Sequence, residues 1–492
     1  MTKADLSNAG LRLLFGFCIL FTVVTCFYYP GNVLIYIAFS IVVNALLLLG
    51  LRRDSIFFDF FIGGLFWLGY WLKFSVRMVF MEGKFVVPVG KFDYSAAAYD
   101  HSLTVVSCGV TALLLVRLVR AWFLFTYPVS AGVNGLDGLY AFYKRYRNYV
   151  WTVFCVLILA LAISNLYFGI YQRGLAPRTV LPYKLGGVYT WLLLFGAASI
   201  SALMLEFEIR LHRTIPYVLL FLVLLEVSAS NVSMISRGMI LNTGALFVGV
   251  YVAFRIRNID LKLGPTMAAA MTIFALFASS VVLVNSMRQQ ELYAARMTGA
   301  DVTGTEQEVD VTRLAQDSNQ LFLDRWVGME GVMAVASYPH LGWGLFKEAW
   351  GESYLSHGAS LYDLKIAGNI SKKRQEWLVK NDKHFITLPG IIGFFFYPGS
   401  FLVLFLAMAA VGAIGAGIEI AVYRLSGSVI LCSLIAFVVA YRYSHFGYVP
   451  ARSYLLFGTI ALNVALISLA DRLLLARYAR RLSGNSSNGG EF

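Results

Sequence analysis

The sequence has little charge for its length. Charged residues make up 14% of the 492 residues and hydrophobic residues 59%, whereas about a quarter of an ordinary soluble domain is charged. This composition excludes a soluble globular enzyme and is typical of an integral membrane protein. Acidic residues are fewer than basic ones, with 27 Asp and Glu against 40 Lys and Arg, which leaves a net charge of +13.

Cysteines and common catalytic motifs are also scarce. The five cysteines lie in apolar runs without C-x-x-C spacing, which excludes a disulfide framework and a zinc site; they are Cys18, Cys26, Cys108, Cys155 and Cys432. The sequence contains no P-loop, H-E-x-x-H or G-x-S-x-G motif. No ligand cluster is evident, so we expect neither a metal nor a cofactor, and nothing in the sequence indicates nucleic-acid binding.

Long apolar runs, in contrast, are abundant. A span needs about 20 apolar residues to cross a hydrocarbon core of roughly 30 Å, and a helix is the default because it satisfies its own backbone hydrogen bonds. About twelve such runs are centred near Leu20, Val42, Leu68, Leu113, Leu159, Phe195, Leu222, Phe247, Phe274, Phe405, Ile435 and Ile460. The sequence therefore predicts an all-α polytopic membrane protein with about twelve transmembrane helices.

One polar interruption divides these runs. Spans one to nine occupy 1–286, a large loop occupies 287–385, and spans ten to twelve occupy 386–483. Residues 484–492 are polar and resemble a linker or tag, so we leave them out of the fold prediction. The first apolar run lacks a small-residue cleavage site and is interpreted as a retained helix.

The basic residues next to the spans predict the orientation. Those on one side are Arg52, Arg53, Lys144, Arg145, Arg147, Arg210, Arg213, Arg255, Arg257 and the arginines from Arg472 to Arg481. By the positive-inside rule this side is cytoplasmic. Both termini are then cytoplasmic and the large loop is outside, which in a bacterium means the periplasm.

The outer side also carries basic residues, with few acids near them. They are Lys73, Arg77, Lys84, Lys91, Arg173, Arg178, Lys184, Arg442 and Arg452. Any one of them could extend its head group to the membrane interface at little cost. Taken together, an unneutralised basic rim predicts an anionic ligand.

Arg237 is the most informative single cation. It lies between two apolar runs, where an arginine costs about 2.5 to 3.5 kcal/mol at a span centre and less near an interface. Two interpretations remain open: the side chain reaches lipid head groups, or its guanidinium holds a phosphate or diphosphate through two parallel hydrogen bonds.

The second half of the loop contains a helical pattern and a turn. Apolar residues from Phe322 to Ala336 recur every three or four positions, which predicts an amphipathic helix with Arg325 and Glu330 on its surface. The sequence from Pro339 to Gly344, which includes His340, then forms a Pro-x-x-Gly-x-Gly turn.

His384 stands where the loop returns to the membrane. Imidazole is the side chain best matched to proton transfer near neutral pH, although an outer histidine is often only a solvated loop residue. His384 is therefore the candidate for proton transfer.

These motifs together resemble the superfamily of bacterial O-antigen polymerases (Wzy) and O-antigen ligases. The matching elements, in order, are Ser236-Arg237-Gly238, the Arg325-headed helix to Ser337, the turn from Pro339 to Gly344, and His384 at the loop exit. The resemblance covers roughly 219–405. It implies a GT-C-like fold and a metal-independent glycosyltransferase that uses a saccharide on undecaprenyl diphosphate.

The resemblance also implies residue roles. Arg237, Arg325, Arg288 and Arg313 would hold the diphosphate, His384 would act as base, and Glu330 would be the reserve base. The outer basic residues and the turn add further candidates for contacts to the saccharide or diphosphate, independently of the resemblance: Arg77, Arg173, Arg178 and His340.

The resemblance favours a repeat-unit polymerase in a bacterial inner membrane. At the exit, Phe385 follows His384 where the family commonly has Asn, which fits the more divergent polymerases better. An O-antigen ligase, which transfers to the lipid A core, remains an alternative, and so does a flippase for lipid-linked oligosaccharides. The implied partners are undecaprenyl-diphosphate-linked oligosaccharides, the bilayer and a chain-length-regulating co-polymerase.

Overall fold

The structure is a computed structural model, and it describes most of the chain. The described residues are 3–52, 54–85, 87–127, 135–172, 178–213, 216–236, 241–257, 259, 264, 267–268, 271–272, 275–276, 278–279, 326–353, 358–368, 370–380 and 384–487, with backbone alone at 3–9, 184, 374, 384–385, 452 and 479–487. The described chain is mostly helical, as the sequence predicts. It divides into two units, one within 1–127, 309–418 and 439–455, the other within 128–308, 419–438 and 456–492.

The first half of the chain forms ten α-helices among its described residues. They are α1 (Lys3–Cys26), α2 (Val33–Gly50), α3 (Phe57–Phe66), α4 (Lys73–Phe80), α5 (Ala96–Phe123), α6 (Asp137–Phe168), α7 (Leu185–Trp191), α8 (Ala197–His212), α9 (Tyr217–Ser233) and α10 (Leu241–Ile256). A π-helical turn, Trp67–Leu72, joins α3 to α4, and another, Leu192–Gly196, joins α7 to α8. A short 3₁₀ turn, Pro182–Lys184, precedes α7.

The described part of the second half contains seven α-helices and two short strands. They are α11 (Met329–Ala336), α12 (Trp343–Trp350), β1 (Gly358–Ala359), α13 (Lys372–Lys380), β2 (His384–Phe385), α14 (Gly390–Phe395), α15 (Phe401–Ser426), α16 (Val429–Ser444) and α17 (Ala451–Ser487). A third π-helical turn, Tyr362–Ile366, lies between β1 and α13.

Six helical segments are long and apolar enough to cross a membrane. They are Val33–Gly50, Ala96–Phe123, Asp137–Phe168, Leu185–His212, Phe401–Ser426 and Ser453–Tyr478, and four shorter apolar helices accompany them. These ten segments account for ten of the twelve predicted centres. The centre near Leu68 falls in the π turn between α3 and α4, and Phe274 lies outside the described residues. The chain is a membrane-embedded helical protein.

Aromatic side chains form the core of the first unit. Helix α2 packs against α3 and α5, and Tyr36, Phe39 and Phe74 on α2 and α4 are fully buried. Tyr29 and Tyr99 extend this cluster, with ring centroids 5.3 Å from Tyr36 and 5.9 Å from Phe74 respectively. Edge-to-face and tilted ring pairs of this kind fix helices more specifically than aliphatic contacts do.

The second unit is organised around α9. This helix packs against α6, α8 and α10, and a small apolar cluster of Leu161, Leu193 and Met234 closes one end. Asn165 of α6 donates its amide to the carbonyl of Ser233 at 2.9 Å. Polar contacts between helices are worth about 1 kcal/mol in a membrane, so this contact ties the end of α9 to α6.

Several arginines pair with buried acids on other helices. In the first unit Arg120 lies 2.6 Å from Asp59, with Arg117 3.8 Å from the same carboxylate. In the second unit Arg147 lies 2.5 Å from the fully buried Glu208. These arginines therefore join helices through their ion pairs.

Candidate functional site

Helix α11, in the second half of the predicted loop, is part of the core. All residues from Met329 to Val335 are buried, and the helix packs against α5 and α14. The predicted helix is confirmed from Met329 to Ala336, but the prediction was wrong for Trp326, Val327 and Gly328, which are not helical. The expected amphipathic face is also absent, because α11 is covered on all sides.

Glu330 is the clearest departure from the predicted surface. Its side chain is 5% exposed, and its Oε1 lies 2.6 Å from Nζ of Lys73, which is 1% exposed. The same ammonium donates to the carbonyl oxygen of Trp326 at 2.8 Å. Burying a charge is expensive unless it is paired, and Lys73 supplies the pairing that the sequence did not show. A carboxylate held in this way is poorly suited to be a reserve base.

Two close backbone approaches hold α11 in place. Gly69, in the first π turn, touches the chain just before α11: a Cβ on Gly328 would lie 2.2 Å from the carbonyl oxygen of Gly69. On the helix itself, a Cβ on Gly331 would lie 2.2 Å from the carbonyl oxygen of Pro389. Only glycine permits backbones to come this near. The second contact brings the loop helix against the loop exit.

The predicted turn is confirmed from Pro339 to Gly342, between α11 and α12, but the prediction was wrong for Trp343 and Gly344, which begin α12. The amide of Gly342 donates to the carbonyl of Tyr397 at 2.8 Å, and the space beside Gly342 and Gly344 is open. His340 is exposed, with its ring edge-on to Tyr338 at 5.8 Å. The turn therefore offers room and polar edges to a ligand.

Helix α12 presents an aromatic surface next to this turn. Trp343 is 56% exposed, whereas Leu345 and Ala349 are buried. Phe346 and Trp350 pack against Phe394 of α14 as tilted ring pairs, at centroid distances of 5.6 and 6.0 Å. An exposed indole on a fixed helix suits the apolar face of a sugar ring.

The loop exit is tied to the preceding chain by a parallel strand pair. His384 is opposite Gly358, and Phe385 is opposite Ala359. The backbone of His384 therefore lies in a short two-stranded sheet. Pro389, which Gly331 of α11 contacts, follows five residues later.

Asp363 fixes the same exit segment through its carboxylate. It is fully buried in the third π turn. Its Oδ2 accepts from Ser360 Oγ at 2.6 Å and from the amide of Thr387 at 2.9 Å, and its Oδ1 accepts from the Thr387 hydroxyl. Charge-assisted hydrogen bonds are about twice as strong as neutral ones, so Asp363 binds the exit strongly. Sequence reasoning missed this residue, whose only signal was an acid in an otherwise apolar stretch.

The predicted basic rim is partly neutralised. Lys73 is paired with Glu330, and Lys84 lies 2.7 Å from Glu82 on the surface. The hydrogen bond from Lys84 holds the pKa of Glu82 below its ordinary value. Two of these nine basic residues are therefore paired, Lys84 by the adjacent turn and Lys73 by the loop, and the prediction that they cannot all be paired stays a prediction.

Arg77 and Arg178, two of the predicted ligand contacts, have local contacts. Arg77 is buried; its Nη1 lies 2.9 Å from Sδ of Met81 and donates to the carbonyl of Lys84 at 3.3 Å. Arg178, in the second unit, is exposed, and its aliphatic stem lies over Gly169. Arg77 therefore shapes the turn after α4.

Five predicted ligand-binding residues lie outside the described residues: Arg173, Arg237, Arg288, Arg313 and Arg325. Next to Arg237, Ser236 is buried, and its amide donates to the carbonyl of Asn231 at 3.0 Å.

Among the residues that the structure describes, no group of three or more His, Cys, Asp or Glu could hold a metal ion. No protein-family model, curated protein or solved structure is significantly similar to the chain.

Proposed function

We propose that this protein is a membrane glycosyltransferase that polymerises saccharide repeat units. It would transfer a growing saccharide from undecaprenyl diphosphate to a lipid-linked repeat unit at the periplasmic face of the inner membrane. The proposal rests first on the order of the four sequence motifs. One structural observation supports it: the loop helix α11 packs through Gly331 against Pro389, which lies five residues after His384, the motif residue at the loop exit.

The chemistry requires one bond to break and one to form. The bond from the anomeric carbon to the diphosphate oxygen breaks, and an acceptor hydroxyl oxygen attacks that carbon. Negative charge grows on the leaving diphosphate, and we assign its stabilisation to the guanidinium groups of Arg237 and Arg325, aided by Arg288 and Arg313. The acceptor proton passes to His384.

The test uses purified protein in detergent with lipid-linked repeat units. We expect elongated lipid-linked products on a gel without any added partner. Transfer only to lipid A core would instead identify a ligase. Absence of a new glycosidic product with both acceptors would refute both transferase assignments and leave flipping, which a vesicle assay measures.

If the wild-type protein elongates the lipid-linked product, two variants test the roles of Arg237 and His384. Arg237→Lys keeps the charge and loses the planar fork, so we expect turnover to fall about 100-fold, the usual cost of one stabilising donor. His384→Ala should lower turnover by a similar factor or more. Wild-type turnover in either variant would remove that residue from the mechanism.

A further inference from the structure

Helix α12 carries aromatic side chains along its exposed side. Trp343, Phe346 and Trp350 recur at three and four positions, which places them on one side of an α-helix. Trp343 and Trp350 are exposed, and the ring of Phe346 lies between them, at centroid distances of 5.7 and 5.6 Å. Leu345 and Ala349, on the opposite side of the helix, are buried. The aromatic side chains are therefore held by the protein on one side and open on the other.

These side chains continue to the edge of a membrane helix. The ring of Trp350 lies 6.2 Å from that of Tyr454, edge to face, and Tyr454 is also exposed. Tyr454 is the second residue of Ser453–Tyr478, the apolar segment of α17 that is long enough to cross a membrane. Trp343, Phe346, Trp350 and Tyr454 together form the aromatic row. The row leads from the edge of this span to the turn that precedes α12, over about 10 Å along the helix.

Charged side chains lie beside the aromatic row. Lys347, one turn after Trp343, is exposed. Glu348 lies 2.6 Å from Lys365, and both side chains are about half exposed. Charged groups are costly in hydrocarbon, so this part of α12 is in water. Contiguous apolar side chains that remain exposed to water are typical of a binding surface.

A saccharide matches both features of this surface. The faces of a pyranose ring carry C–H bonds, which pack on the negative face of an aromatic ring, and its hydroxyl groups project from the edge. Lys347 offers donors and Glu348 offers acceptor oxygens to such hydroxyl groups. A pyranose ring is shorter than the distance between Trp343 and Trp350 along the helix, so these two indoles would contact different sugars of one chain.

We propose that the aromatic row is a saccharide-binding subsite, which holds the sugar chain of a lipid-linked substrate where that chain leaves the membrane. The carrier lipid of such a substrate is in the bilayer. Its first sugars would therefore lie at the membrane edge, next to Tyr454 and Trp350, and later sugars would reach Trp343. The inference rests on the proposed function, because that function supplies the lipid-linked saccharide. The row binds and orients the chain, and takes no part in bond breaking.

Binding of free saccharide tests the row without any catalytic step. The probe is the saccharide released by mild acid from the lipid-linked repeat units of the elongation assay. It is titrated onto the full chain in detergent, and saturation-transfer NMR measures Kd. Trp343→Ala and Trp350→Ala should each raise Kd about 10-fold, because each removes a central aromatic contact. Trp343→Phe keeps an aromatic face and should lose less.

The matched control is a tryptophan outside the row. Trp122, near the end of α5, is 79% exposed, and Trp343 is 56% exposed. Trp122→Ala should leave Kd unchanged. Because these side chains are exposed, the thermal midpoints of the Trp122 and Trp343 variants should equal that of the wild type, which shows that the variants fold.

Three results would overturn the proposal. The first is the absence of saturation transfer to the saccharide in the wild type. The second is a Kd that neither alanine substitution changes, in variants with the thermal midpoint of the wild type. The third, in nanodiscs, is quenching of both indoles by brominated acyl chains together with an unchanged Kd, which would assign the row to the bilayer interface, where Trp and Tyr are common.

The binding result and the elongation result fail separately. A Kd that depends on the row, in a protein that makes no glycosidic product, would retain the saccharide site and refute the transferase. Elongation with an unchanged Kd in both alanine variants would retain the transferase and refute the site. If both proposals hold, the alanine variants should raise KM for the lipid-linked repeat unit and leave kcat nearly unchanged, because a stacking contact binds the ground state and the transition state alike.

Discussion

Helix α11 and helix α6 differ in how much of each is buried inside the protein. In a soluble protein a long apolar helix would be the more buried of the two, whereas here it is the less buried. Helix α11 lies within the polar loop, although it is apolar itself apart from Glu330, and every residue from Met329 to Val335 is buried. Helix α6 is a long apolar segment, yet only 22% of its apolar window is buried inside the protein. The apolar window of α17 is equally uncovered, at 22%.

The difference follows from the solvent around each helix. Lipid tails are as apolar as leucine, so an apolar side chain gains nothing by leaving them for the protein interior. A helix therefore becomes core in this chain through close backbone contacts and polar partners, such as Gly331 with Pro389 and Glu330 with Lys73. Hydropathy in this chain identifies the spans but not their burial, since the apolar window is 22% buried in α6 and 50% buried in α5.

The strongest test of this contrast is Gly331→Val. Two extra methyl groups and a Cβ would have to occupy the place of the Pro389 carbonyl, so we expect destabilisation of about 3 kcal/mol or failure to fold. The same change at Gly417, on α15 with open space around it, should be tolerated. Thermal unfolding in detergent measures both. Equal midpoints for the two variants would mean that the close approach does not hold α11.

A smaller effect is expected from one substitution made in both regions. Val332→Ala removes two buried methyl groups from α11 and should cost about 2 kcal/mol, from lost burial and the cavity left behind. Val153→Ala removes the same groups from α6, where the side chain is 62% exposed, and should change stability little in detergent or lipid. A cost at Val153 equal to that at Val332 would erase the contrast.

The smallest expected effect concerns the pH dependence of the loop. Burial raises the pKa of Glu352 above its ordinary value of 4.5, although its Oε1 accepts the amide of Leu361 at 2.7 Å. Ionisation is then harder in the folded state, so this group removes stability as the pH rises from 4.5 through the raised pKa. Glu352→Gln keeps an oxygen acceptor without ionising, and its thermal midpoint should fall less between about pH 4 and pH 8.

A control for the pH effect lies on the surface. The pKa of Glu82 is shifted in the opposite direction, by Lys84, and both side chains are in solvent. Because an ion pair in solvent contributes little to stability, Glu82→Gln should change the pH profile of the thermal midpoint much less than Glu352→Gln does, and in the opposite sense. Identical profiles for wild type and Glu352→Gln would show that Glu352 does not contribute.

The helical membrane fold was predictable because it depends on local composition. A run of about 20 apolar residues is sufficient for a span, and six of the twelve predicted centres, Leu113 and Leu159 among them, lie in long apolar helices, with four more in shorter apolar helices. The helix after Met329 was also predictable from its three-to-four residue period. The break at Trp326 to Gly328 was not, because it depends on the donor Lys73 and on the backbone of Gly69.

The burial of Glu330 illustrates what a single sequence withholds. Its partner, Lys73, is in a distant part of the chain. Lys73 also donates to the carbonyl of Trp326, and these two residues are separated by 253 positions. From the sequence both charges looked like surface features, one on a basic rim and one on an amphipathic helix. The available signal was that each interrupts an apolar run, which is typical of a paired buried charge. Asp363 gives the same signal.

The π turn Trp67–Leu72 must keep its number of residues, because that number sets the direction in which α4 faces. Each of its hydrogen bonds spans one residue more than in an α-helix, so the turn adds to the rotation between α3 and α4. Removing one residue there would turn α4 by about 100°, and Lys73 would leave the side that faces Glu330. A one-codon deletion at this place would hardly alter the hydropathy profile, yet it would disconnect the membrane helix from the loop.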